Sequence, residues 1–477
     1  MSGVLTFEPF SLESLKKVIP CIQKSSLLCS DISAGYLFMW NAHTKVHFCV
    51  WEETLVVREM IGEQPAFSYP VGANPDGMLE GLKAYVLENH FPLRFFAIDE
   101  PLLEAMQQDK RFPSVMGNYD RKWSDYLYSF EEIRDLRGRK YNTQRNHINK
   151  FKKLYGDPYV RFLTKEDLPL ITQMLCDYEK EHSDAKRLEK RELEQTRKLF
   201  EVFEELGLYA AGLFVEEELV AVTIGEVVGE MLLVHVEKAL RTIEGAYPTM
   251  FVSFVRLMDS QRSGTLRYIN REDDSGDEGL RISKMRYHPI KLVNKHVVHV
   301  DSFTKQWDPS LVLAQGDIVL TQIRESDKKA YKELNMDVEN NRYWGYDYRK
   351  DLSWLGEITD DTFYNSVQFD MSLGDSINFA IRQTKEGPMI GEVILWNFTA
   401  ERFLEIGCRL FPEYHQKGYG KTAFGLAADY AEQTLGAHAI AKCFHENISS
   451  YRMIEGNGFV LSKKDDTYYY FERKCNR

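Results

Sequence analysis

The chain has no long apolar run, no closely spaced cysteine pair and no basic excess. Across its 477 residues, no hydrophobic stretch approaches the roughly 18 residues that a membrane-crossing helix needs, so membrane insertion is not expected. The seven cysteines, Cys21, Cys29, Cys49, Cys176, Cys408, Cys443 and Cys475, are odd in number, scattered and never spaced as CxxC. That disfavours a disulfide framework or a zinc site and points to free thiols in a reducing compartment. The start, MSGVLTFEPFSLES, lacks the basic segment and apolar core of a secretory signal, so a cytoplasmic location is expected. Low-complexity segments are missing as well. Lys and Arg number 60 against 72 Asp and Glu, a formal charge of −12. Such a balance argues against indiscriminate nucleic-acid binding while leaving room for a local basic groove.

What is present is globular: 44% hydrophobic and 28% charged residues, with length for two to four domains. Three segments read as β-hairpins: VHFCVWEETLVVREM, AAGLFVEEELVAVTIGEV and INFAIRQTKEGPMIGEVIL. Their turns fall near Glu52, Glu217 and Glu386, at intervals of about 165 and about 169 residues. Each is followed by a strand-like run, a glycine-bearing turn, an apolar helical stretch and another strand-like run. The pattern predicts an α/β (α+β) chain of three units of one architecture. In the third unit the predicted elements are strand 403–410, helix 422–434 and strand 439–444. Lys442 interrupts the alternation of that last strand. The segment 131–153 reads as one strongly basic helix.

The turn Gln416-Lys417-Gly418-Tyr419-Gly420-Lys421 is the strongest chemical signal. Its glycines permit positive φ and leave backbone N–H groups uncovered. The following helix adds its own unpaired N–H groups and the positive end of its dipole. Lys417 and Lys421 supply point charges. Together they suit a pyrophosphate, although both lysines are also compatible with plain solvated charges.

Residues 317–474 resemble the GNAT acyl-CoA N-acyltransferases, and within them the branch that acetylates ribosomal-protein N-termini and small amines. The likeness runs through IVLTQIRESD, IGEVILWN, EIGCRLFPEYHQKGYGKTAFG and Asn447-Ile-Ser-Ser-Tyr-Arg-Met-Ile-Glu-Gly-Asn-Gly458-Phe459. It implies that Leu410, Gln416, Lys417, Gly418, Tyr419, Gly420 and Lys421 bind acetyl-CoA, with Asn447 and Ser450 beside its arm. It also implies direct attack of an amine on the thioester, which needs a base and oxyanion donors. Glu405 is the candidate base, or else a strand-end carboxylate with a structural bond. Asn447 can equally cap the next helix. The position where many relatives carry an acidic tyrosine is Ile454, and Tyr451 lies on another helical face. Tyr343, Trp344 and Trp396 can line an acceptor pocket or pack the core.

Residues 1–302 resemble bacterial proteins related to the C-terminal domain of phosphatidylglycerol lysyltransferase, itself two fused GNAT-like units. The matching stretches are Leu136–Phe151, Val234–Ala239 with Glu244–Tyr247, and Tyr268–Lys284. The resemblance implies mixed, mainly antiparallel sheets flanked by helices over 1–140 and 141–302, a linker at 303–316 and the acetyltransferase domain at 317–477. A second site is possible at Gly245, Tyr247, Asn270, Arg271 and Lys284. His235 and Glu237 form a candidate acid–base pair or a core pair. The basic segment 134–153 suits CoA or tRNA phosphates, or ion pairs with acidic neighbours. An amine acceptor is implied, with tRNA as a further candidate partner; no metal is.

Overall fold

The computed structural model describes residues 5–473 except 26–27, 62–63, 113–114, 183–186, 263, 301–307, 346 and 352–357. Cys475 and residues 303–307 of the expected linker lie outside the described residues. Two compact units divide the chain. The first comprises Met1–Lys83, Arg94–Met106 and Tyr119–Val297; the second comprises Ala84–Leu93, Gln107–Asn118 and Val298–Arg477. No helix among the described residues is long and apolar enough to cross a membrane.

The first unit holds two sheets. One runs Glu8–Pro9, His47–Trp51, Thr54–Ile61, Gln64–Phe67 and Arg94–Ile98. The other has seven strands in the order Lys291–Val293, Asp125–Ser129, Tyr268–Asn270, Met231–Ala239, Glu218–Val228, Tyr209–Val215 and Tyr159–Phe162. Its strand Asp125–Ser129 comes from before residue 141. Both expected hairpins form, and their turn residues Glu52, Glu53, Glu216 and Glu217 all have positive φ. Two consecutive left-handed residues match the twist of the strands they join. A shared core packs Phe48, Leu55 and Val57 of one sheet with Val222, Ile224 and Leu233 of the other.

The basic segment does not form one helix. Phe130–Asp135 ends at Leu136 with φ 49°, Gly138 follows at φ 85°, and a second helix runs Asn142–Tyr155. Left-handed residues at helix C-caps end the hydrogen-bond ladder.

The second unit is built on one eight-stranded sheet in the order Leu313–Gln315, Ile318–Gln322, Ile377–Arg382, Gly391–Trp396, Phe403–Leu410, His438–Phe444, Tyr468–Arg473 and Phe459–Lys464. Leu313–Gln315, within the expected linker, pairs antiparallel with the next strand. Helix Tyr419–Gln433 lies on one face through Ala423, Phe424, Ala427, Ala428 and Ala431, all buried. Small side chains let its backbone approach the sheet closely, and that approach fixes where the glycine turn points. The three-sheet α/β architecture expected from the sequence is present.

Candidate functional site

The strand Phe403–Leu410 pairs in parallel with His438–Phe444 only at Phe403, Leu404 and Glu405. Beyond Glu405 the two strands part, and the glycine turn follows the free end of the first. Gln416 and Gly418 are left-handed, at φ 60° and 81°. Gly418 is the N-cap of helix Tyr419–Gln433 and provides no side-chain cap. Among the described residues, none accepts a hydrogen bond from the backbone amides of Gln416 through Lys421. Six consecutive donors at a helix N-terminus are an arrangement that suits an anion.

Side chains leave the site open. A Cβ on Gly418 would meet nothing within 4 Å, and one on Gly420 would only graze Leu410, Met453 and Cys408 at 3.5–3.9 Å. Leu410 is buried behind the turn. Lys417 and Lys421 are exposed with no carboxylate partner among the described residues; Lys417 sits 5.3 Å from the Tyr414 ring centroid. The Tyr419 hydroxyl accepts from Gln383 Nε2 at 2.9 Å. Burial pushes the Cys408 thiol up to about 12 and the Cys443 thiol up to about 11, so neither is a thiolate at neutral pH.

Glu405 sits at the point of divergence, 9% exposed. Its Oε2 accepts from Asn397 Nδ2 at 3.0 Å and lies 3.3 Å from Lys442 Nζ. Trp396 is its cross-strand partner on the other side. Gly407, two residues on, lies under Trp344, whose ring a Cβ at 407 would meet at 2.9 Å. The Arg409 guanidinium then stacks 4.5 Å from the Trp344 centroid. Arg409 is buried against Glu392 at 2.6 Å, and Asn335 and Asn341 complete its hydrogen bonds. Trp344 is thus held over Gly407 and Arg409 of this strand. Tyr343, 36% exposed, packs on Phe444. The sequence reading singled out Glu405 but passed over Asn397, Arg409 and Lys442 as site residues. The lysine interrupting an apolar strand was the available signal.

Asn447 caps helix Ile448–Glu455 by accepting from Ser450 N at 3.1 Å. Its Nδ2 has no partner among the described residues, so capping leaves that donor unused. Ile454 is 2% exposed within the core. Tyr451 packs edge-on to Tyr469 and Phe471.

The corresponding turn of the first unit differs. Gly245, φ 80°, precedes helix Ala246–Arg262, but a Cβ there would strike His147 O at 2.6 Å. Glu181 accepts from the amides of Arg241 and Thr242, the amide of Ile243 donates to Leu240 O, that of Glu244 to Tyr155 Oη and that of Ala246 to Ile243 O. The turn is filled by protein. Tyr247, in the first turn of that helix, is 40% exposed. Asn270 bonds Leu28 O, Asp125 and the amide of Glu272. Arg271 pairs with Glu237 at 2.7 Å, and Lys284 donates to Arg271 O at 2.5 Å. Asn270, Arg271 and Lys284 are thus bound within the fold, although Arg271 Nη1 has no partner among the described residues, and the five residues do not form an open row of donors.

His235 and Glu237 are not paired to each other. His235 lies between Glu226 at 3.1 Å and Glu272 at 2.7 Å, pressed against Gly35. Desolvation opposes its charge, but the two carboxylates win and raise its pKa to about 9. Nearby, Lys295 is shared by Asp31 and Asp125 at 3.0 Å and Asp273 at 3.3 Å. Burial raises Asp31 to about 6 and Glu59 to about 8. In the basic segment, Arg134, Arg137, Lys140, Lys150 and Lys152 all have acidic partners, the ion-pair reading of that stretch.

Comparison with known proteins matches residues 28–299 to the model of the phosphatidylglycerol lysyltransferase C-terminal domain. Residues 317–460 match the acetyltransferase (GNAT) domain. A conserved protein of unknown function from Bacteroides thetaiotaomicron is similar in structure: TM-score 0.56, 26% identity, covering 62% of this chain and 99% of that one. The uncharacterized N-acetyltransferase YnaD of Bacillus subtilis is 28% identical over 118 residues, 24% of this chain and 69% of that one. An uncharacterized protein of Mycoplasmoides gallisepticum is 21% identical over 178 residues, 37% of this chain; the match spans 56% of that relative's length.

Proposed function

The chain belongs to the family of the phosphatidylglycerol lysyltransferase C-terminal domain and carries a GNAT-type acyltransferase domain after it; from that premise we propose that the second unit is an acetyl-CoA-dependent N-acetyltransferase. The observation that carries the reading is the run of six amides from Gln416 to Lys421 that have no partner among the described residues, beside strands that part at Glu405. In this reading the turn, with Lys417 and Lys421, holds the donor's pyrophosphate. Asn447 and Ser450 border its arm, Leu410 backs it, and the gap between the parted strands takes the arm itself. The acceptor amine loses a proton to Glu405, its nitrogen bonds the acyl carbon, and the carbon–sulfur bond breaks to release thiolate. The buried Ile454 offers no proton, so the thiolate departs without an acid from that position. The acceptor is a small-molecule or peptide amine, in the bacterial cytoplasm.

Calorimetric titration of the full chain with acetyl-CoA tests this, alongside transfer to a panel of amines. Saturable binding that Gly420→Glu abolishes, with transfer dependent on Glu405, supports the reading. Equal affinity in wild type and Gly420→Glu overturns it.

A second reading concerns the first unit. Its equivalent turn is occupied by Glu181 and Tyr155, which argues against CoA as its donor and is compatible with an aminoacyl-tRNA donor. Salt-sensitive tRNA binding by the full chain, competed away by excess tRNA but not by CoA, favours aminoacyl transfer there. Without such binding the first unit is a non-catalytic platform.

A further inference from the structure

Resting on the acyl-transfer reading of the second unit, we propose that Lys442 is a positioning residue. It ties up one oxygen of Glu405 so that the other alone receives the acceptor's proton. Three observations converge. Lys442 lies two residues past the last parallel pair, Glu405 with Ile440, so its side chain returns to Glu405 where the strands have begun to part. Both donors to the carboxylate, Asn397 Nδ2 at 3.0 Å and Lys442 Nζ at 3.3 Å, meet Oε2; Oε1 takes none among the described residues. The ammonium is itself held between two rings, 5.7 Å from the Trp396 centroid and 5.7 Å from that of Tyr468. Such caging limits the rotamers of a flexible side chain.

The consequence is a carboxylate with a fixed orientation and a neighbouring positive charge. The ammonium, 3.3 Å from Oε2, engages that oxygen and leaves Oε1 as the one facing an acceptor. It also destabilises a second cation beside Glu405, which eases loss of the acceptor ammonium's proton and puts amines carrying further positive charge at a disadvantage. The proton leaves the ammonium nitrogen for Oε1, and the carbon–sulfur bond breaks as the new carbon–nitrogen bond forms. The other titratable group facing this carboxylate is Tyr470, on the strand beside Lys442. Its hydroxyl donates to Asp465 at 2.6 Å, a bond that raises it to about 12. It therefore stays neutral across the working range, and Lys442 is the one cation that sets the charge at Glu405 among the described residues.

The test uses the full chain as wild type, Lys442→Met and Lys442→Arg. Transfer is followed as kcat and KM for a monoamine and for a diamine of similar size, together with acetyl-CoA affinity. Lys442→Met is expected to lower kcat for the monoamine roughly 10-fold and to narrow the preference for monoamine over diamine. Acetyl-CoA affinity stays within about twofold, and Lys442→Arg restores both kcat and the preference. Unchanged kcat and preference in Lys442→Met overturn the inference. So does an equal loss for both amines that Lys442→Arg does not rescue, because a merely structural lysine produces that. A wild-type chain that binds no acetyl-CoA sinks the acyl-transfer reading itself, and the inference resting on it falls with it.

Discussion

The turns before helices Tyr419–Gln433 and Ala246–Arg262 occupy equivalent places in their sheets but have opposite fates. Both follow a strand, both carry a left-handed glycine and both lead into an apolar helix. At Gln416–Lys421 no amide has a partner among the described residues, and both lysines are exposed. At Arg241–Ala246 a carboxylate of the chain itself, Glu181, takes two amides, and Tyr155 takes another. A hydrogen-bond donor array at a helix N-terminus is satisfied either by a ligand or by the protein. The first arrangement leaves its row of donors open and the second has filled it with protein. One scaffold thus serves two purposes, and its glycine alone does not distinguish them: Gly418 faces open space, whereas Gly245 permits close packing on His147.

The comparison is broken or sharpened by four changes. The largest effect is expected for Glu405→Gln, a fall in kcat of roughly 10²- to 10⁴-fold with acetyl-CoA affinity retained. An unchanged rate would remove Glu405 from the chemistry. Next is Gly420→Glu, which sets a carboxylate among the free amides; acetyl-CoA affinity should fall at least about 100-fold, on the order of 3 kcal/mol. Thermal melting should show the fold intact, since a Cβ at this position meets only ordinary contacts.

Glu181→Gln tests the closed turn. It weakens the bonds to Arg241 and Thr242 and should lower stability by about 1–3 kcal/mol, read by denaturant unfolding. No acetyl-CoA site should appear in its place. A new saturable site there would erase the distinction between the two turns.

The smallest effect concerns pH. His235 is raised to about 9 in the folded chain, so its stabilising contribution is complete below its ordinary value near 6.5 and is lost as pH rises through about 9. Glu59, raised to about 8 by burial, acts in the same sense: folding holds its proton, so stability falls between about 4.5 and about 8. The first unit should therefore lose stability steadily from pH 6 to 9. Glu59→Gln should remove part of that slope, on the order of 1 kcal/mol or more at pH 8. A slope identical to wild type would show that Glu59 is ionised in the fold.

Much of this was legible in the chain. Hairpin periodicity located the three sheets, and the strand–turn–helix around Gln416–Lys421 was placed within a few residues, the helix starting at Tyr419 rather than Thr422. Periodicity reports which face is apolar, and that is a local property. It does not report what a distant segment does. The basic helix broke at Leu136 and Gly138 because left-handed backbone there outweighed a continuous run of helix-compatible charges. Asn270 followed its strand as Asn447 follows its own, yet its amide is consumed by Leu28 and Asp125, more than a hundred residues away in sequence. His235 and Glu237 sit two apart, as for one strand face, but a bulge slips the register between Val234 and Val236 and sends the two into separate ion clusters.

By itself the amino-acid sequence determined the α/β alternation, the three sheets and the glycine turn, because hydrophobic period and positive-φ positions are written residue by residue. The tertiary structure alone decided which turn stays open, which oxygen of Glu405 is free and where Lys442 reaches. Those depend on how strands part and on which distant side chain fills a row of donors, and close packing settles both only once the chain has folded.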